Sequence, residues 1–179
     1  MRALLAALML SGLMLQAQKA DPLEGLWQGY DGEWGHVSRQ LVALAEVIPP
    51  DKYSWRPAPG VRSVSEVFMH IALANFFLLS ETGDSTMPSE IKSAQMEKTV
   101  TSKPEVISWL KRSQDAVKNA HASAKPADLR KNVDIEGRHS TVDGVYLRIL
   151  VHANEHMGQL VAYARMNGIT PPWSKKTGE

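Results

Sequence analysis

Residues 142–168 read VDGVYLRILVHANEHMGQLVAYARMNG. Ile149, His152, His156, Leu160, Tyr163 and Asn167 recur in it at spacings of three and four. That period places them along one side of an α-helix and predicts a helix from about Val142 to Asn167. Gly168 and then Pro171-Pro172 provide the stop, because glycine accepts the left-handed turn after a helix and proline cannot continue it. At roughly 100° per residue, His152 and His156 lie one turn apart on one face, with Cβ atoms about 5–6 Å apart. Two imidazoles so spaced can occupy adjacent positions on one metal ion.

Three further helical segments lie upstream. Leu23, Trp27, Tyr30, Trp34, Val37, Leu41, Leu44 and Ile48 form one apolar seam that ends at Pro49-Pro50. Ser63 followed by Glu66 is a capping box, in which each side chain satisfies the other's backbone N–H. It opens a second helix with the stripe Val67, Ile71, Ala74 and Leu78, with His70 on the same side and Gly83 at its end. A third helix begins near Pro104 and buries Val106, Leu110, Ser113, Val117 and Ala120. Residues 84–103 are polar, with room for a short helical turn near 89–97, and residues 123–141 read as a loop without a strand pattern. The expected fold is all-α, a four-helix bundle with long connections, where sites form from side chains on facing helices.

His70 is the natural third ligand, since a polar ring on an apolar face needs a partner. Cysteine is absent, so a metal must be held by imidazole, carboxylate or water. Three nitrogen ligands leave a position open for water or substrate, as in catalytic zinc sites. Imidazole also suits nickel and iron, so ligand type alone leaves the metal open. Glu155, Gln159 and Tyr163 border the pair and are the candidate catalytic helpers, Glu155 as a base and the other two to orient water or substrate. His152-Ala-Asn-Glu-His156 also fits the H-x-x-E-H pattern of inverted zinc peptidases. Those enzymes need a further carboxylate ligand downstream, and the only acidic side chain after His156 is Glu179. His121 and His139, at a helix end and in a loop, are expected to be solvated.

Lys and Arg total 20 against 19 Asp and Glu, so bulk charge gives no reason to expect nucleic acid or an anionic membrane as partner. Residues 1–20 read as a signal peptide, with Arg2, an apolar run over 3–15 and cleavage near 17–20. The expectation is an exported chain without stable membrane insertion after cleavage, and a single domain over 21–179.

Arg62-Ser-Val-Ser-Glu-Val67 with His70-Ile-Ala72, and His152-Ala-Asn-Glu-His-Met-Gly-Gln-Leu160 with Tyr163, Arg165, Gly168 and Pro171-Pro172, resemble the two motifs of the DinB-like superfamily. The Trp55-Arg56-Pro57 loop fits as well. The resemblance covers about residues 24–173. It implies a four-helix bundle with zinc or nickel on the positions of His70, His152 and His156, often a homodimer, acting as a metal-dependent hydrolase on a small-molecule substrate. Two other functions stay open, a non-catalytic metal-binding or interaction bundle and a metal-dependent small-thiol transferase. An export signal counts against the last, because small thiols are mainly intracellular.

Overall fold

The computed structural model describes residues 29–174. The expected signal peptide and the seam residues Leu23 and Trp27 lie outside them. Four long helices make the bundle: α1 (Gly29–Val47), α2 (Val64–Ser80), α4 (Lys103–Ser123) and α6 (Val142–Met166). Two one-turn helices, α3 (Met96–Thr99) and α5 (Pro126–Leu129), sit in the connections. In cross-section α2 packs on α4 and α6, and α1 packs on the same two, so α1 and α2 stand diagonally. None of the described helices is long and apolar enough to cross a membrane.

Most residues of the seams predicted from periodicity are buried, while Tyr30, Ala74 and Ala120 are half-buried. Trp34, Val37, Leu41, Leu44 and Ile48 of the first segment meet Val67, Ile71 and Leu78 of α2 in a single core, with Val106, Leu110 and Val117 from α4 and Ile149 and Leu160 from α6. Two polar side chains drawn into this core bond across helices, which limits the cost of their desolvation. Trp34 Nε1 donates to the Gln114 carbonyl at 3.2 Å, and Asn75 Nδ2 donates to Ser113 Oγ at 3.1 Å. Ser113 in turn donates to the Leu110 carbonyl at 2.9 Å, so the one polar member of the α4 stripe is a relay between helices.

The connection between α4 and α6 differs from the expected loop. β1 (Asn132–Ile135) and β2 (Arg138–Thr141) pair antiparallel, with Ile135 opposite Arg138. Glu136 and Gly137 form the two-residue turn, with φ of 52° and 78°. Two positive φ values are what a tight hairpin turn of this twist requires, and Glu-Gly is a weak version of its usual Asn-Gly signal. Four-residue strands without a buried alternating face left too little pattern to read in the sequence.

Candidate metal centre

The capping box fixes where α2 starts and therefore where His70 points. Glu66 N donates to Ser63 Oγ at 3.3 Å, and Ser63 N donates to Glu66 Oε2 at 2.8 Å. Arg56, from the Trp55-Arg56-Pro57 loop, braces the same carboxylate at 2.8 Å and donates to the Val61 carbonyl at 2.7 Å. His70 follows one turn after Glu66. Across the α2–α6 interface it meets His152 and His156.

The three imidazoles converge. His70 Nε2 and His152 Nε2 are 3.1 Å apart, and one nitrogen from each of the three rings lies within 4.8 Å of the others. Ring centroids are 5.0 Å apart for His70 and His152, 4.7 Å for His70 and His156, and 4.5 Å for His152 and His156. A tetrahedral ion with nitrogen ligands at about 2.0–2.1 Å needs donors roughly 3.3 Å apart, so the first pair already has the required spacing.

Outer partners set the tautomers. His70 Nδ1–H donates to Glu97 Oε2 at 3.1 Å, and His156 Nδ1–H donates to Gln159 Oε1 at 2.9 Å. Both rings are thereby left with a lone pair on Nε2, facing the cluster. Gln159 Nε2 passes the chain on to the Tyr163 hydroxyl at 2.7 Å, and Tyr163 is packed edge-on against Trp55 with centroids 5.3 Å apart. Burial holds the His152 imidazolium far below its ordinary range, at about 3, with His156 and His70 adding to the effect. His70 is lowered as well, by burial first and then by Arg62 and His156, against the opposing pull of Glu97. Neutral rings with inward lone pairs are the state that binds a metal.

The protein by itself leaves this group unsatisfied. With its proton on Nδ1, His70 accepts from His152 Nε2–H at 3.1 Å, which leaves the buried Nδ1 of His152 as a lone pair with no hydrogen-bond partner. A shared divalent ion would replace that bond by taking one nitrogen from each of the three rings, so the donor set present fits one.

Glu155 does not join the cluster. It is turned to solvent, its side chain 60% exposed, and pairs with Arg148 at 3.7 Å. Adjacent residues on a helix diverge by about 100°, which carries Glu155 away from the face that His156 occupies. Glu97 takes the position of the nearby carboxylate instead. It is mostly buried and held on its other oxygen by Arg62 Nε at 2.6 Å. Sequence reading missed it because it sits in the one-turn α3, where no periodicity can form; the short turn expected near 89–97 was the only signal. His121 departs from expectation too. Its Nδ1 meets Asp31 at 2.7 Å, and the ring packs against Tyr30 and Tyr146 at 4.2 and 4.8 Å. His139 is exposed, as expected.

Comparisons with known proteins agree with this architecture. A DinB-like protein from Bacillus cereus ATCC 10987 superposes with a TM-score of 0.71 at 22% identity, over 84% of this chain and 98% of that one. The DinB-like protein YjoA from Bacillus subtilis gives 0.62 at 20% identity, over 79% and 92%. YfiT from Bacillus subtilis gives 0.62 at 12% identity, over 84% and 94%, and is described as a probable metal-dependent hydrolase with an unusual four-helix bundle topology. No curated protein matches the sequence. The DinB superfamily profile matches residues 33–160, a span that runs from the start of α1 through all three histidines to Leu160. The chain belongs to the DinB superfamily.

Proposed function

We propose that this protein is a metal-dependent hydrolase that holds one divalent transition metal, zinc or nickel, on His70, His152 and His156. The observation that carries the proposal is the convergence of three imidazoles on one point, two of them held by outer hydrogen bonds on Nδ1. The description of YfiT as a probable metal-dependent hydrolase supports the same reading.

A divalent ion held by three protein nitrogens supplies Lewis acidity and brings the pKa of water in its open position down to about 7. The chain's own residues do the rest. Glu97, pinned by Arg62, keeps the His70 proton on Nδ1. Gln159 does the same for His156 and fills the acceptor side of the Tyr163 hydroxyl, whose own proton is left to donate to a substrate oxygen. Burial of His152 excludes the imidazolium form that would compete with the metal.

A second reading, an ion-holding bundle without turnover, draws on one observation: Glu155 faces solvent, and Glu97 is already engaged by Arg62 and His70. Metal analysis of purified protein beside His156→Ala, followed by an ester and amide panel run with metal-loaded and metal-stripped samples, separates the two. The hydrolase reading expects about one ion per chain, lost in the variant, and turnover only in the loaded protein. Turnover that survives stripping would sink it.

A further inference from the structure

The side of α6 that turns away from His152 and His156 carries an ordered pattern of its own. Leu147, Val151, Asn154, Gly158, Ala162 and Arg165 are all exposed and follow one another at spacings of four, three, four, four and three. They therefore form one straight stripe along the helix. Leu147 and Val151 are large and apolar, yet 59% and 47% exposed. Gly158 lies inside a 25-residue helix, where glycine costs stability. Packing within the chain does not require it, because a Cβ added there meets no atom within 4 Å.

The stripe is arranged about Asn154. Asp143 and Arg165 lie equally far from it, on opposite sides and with opposite charge. The Arg165 guanidinium has no partner among the described residues. Asp143 accepts from the Thr141 hydroxyl and the Gly144 N–H on Oδ1 alone, which leaves Oδ2 to a cation. The large Leu147 and Val151 precede Asn154, and the small Gly158 and Ala162 follow it at matching distances to within one residue. A helix laid antiparallel on its own copy sets each large side chain on a small one and each carboxylate beside a guanidinium. Parallel pairing instead sets Leu147 on Leu147 and Gly158 on Gly158, with like charges facing at both ends.

We propose that two copies of this chain associate through the outer face of α6, with the helices antiparallel and Asn154 on the two-fold axis. Asp143 of each copy pairs with Arg165 of the other, while Val151 and Leu147 cover Gly158 and Ala162. Asn154 Nδ2 donates to the Leu150 carbonyl at 3.1 Å, which leaves one amide hydrogen and Oδ1 for its mate. A polar pair of this kind in an apolar seam fixes the register. From Asp143 to Arg165 the contact runs about 33 Å. The histidines lie on the other side of the helix, so the association does not depend on the metal.

A face of one helix is at the small end of protein interfaces, so the dissociation constant is expected on the order of 10 µM by sedimentation velocity. Gly158→Trp fills the gap that Val151 of the second copy occupies. It raises that constant at least about tenfold with circular dichroism unchanged, since the new side chain meets nothing in its own chain. Arg165→Glu weakens association at least about tenfold, and Asp143→Lys combined with Arg165→Glu restores it to within about threefold, which a misfolded variant does not do. The chain has no cysteine, so Asn154→Cys reports on the axis. It oxidises to a disulfide-linked dimer, and Lys118→Cys on the exposed side of α4 does not. A chain that stays monomeric at about 100 µM, ten times the expected constant, overturns the proposal. So does a dimer that Gly158→Trp and Arg165→Glu leave intact, because its contact lies on another face.

Discussion

Glu97 accepts a hydrogen bond from His70 at 3.1 Å while its other oxygen is held by Arg62 at 2.6 Å. The three residues come from α2, from α3 and from the loop that precedes α2, and together they fix one imidazole. Glu97→Gln keeps the shape and removes the charge that raises ligand basicity. Its metal affinity should fall by about 10–100-fold, measured by competition with a chromophoric chelator. An unchanged affinity would show the carboxylate to be a bystander.

His152 is the most buried of the three rings. His152→Ala should reduce bound metal from one equivalent to none on elemental analysis. His139→Ala, at an exposed hairpin position, should keep the full equivalent. Loss of metal in both variants would point to unfolding, which circular dichroism would reveal.

Glu155 lies beside His156 in sequence yet pairs with Arg148 in solvent. Glu155→Gln should therefore leave metal affinity, and any turnover found, within about twofold of the parent, since exposed pairs are worth about 0–1 kcal/mol. A hundredfold loss of turnover with metal retained would restore it as a base.

The Glu66 carboxylate is desolvated by burial, which raises its pKa, but Arg56 and the Ser63 N–H outweigh this and hold it below the usual range. A carboxyl whose folded pKa is lowered adds stability above its unfolded pKa of about 4.3, and that stability is lost as pH falls through the folded value. Glu66→Gln can still form the capping box, so it removes only the charged part. It should cost about 0.5–1 kcal/mol at pH 7, and the gap to the parent should close as pH approaches 3 in urea titrations.

Glu136 holds a left-handed conformation in the hairpin turn. Asparagine takes that conformation more readily, so Glu136→Asn should stabilise the fold by about 0.5–1 kcal/mol, read as a higher urea midpoint at unchanged slope. Destabilisation would mean that the side chain makes contacts worth more than the strain.

The sequence by itself determined the four long helices, the capping box that opens α2 and the pair of histidines one turn apart on α6. Each is a local matter: the 3.6-residue period and an i to i+3 side-chain reach put the relevant groups within a turn or two of each other. It also named His70, because an imidazole on an apolar stripe needs a partner wherever the fold places it. Only the tertiary structure decided that Glu97 and Arg62 stand behind His70, 27 and 35 residues apart along the chain in the pairs they form. The same packing turned Glu155 outward and drew His121 under Tyr30 and Tyr146. Those outcomes depend on how α2, α3 and α6 are rotated about their axes when the core closes, and no local period encodes that rotation.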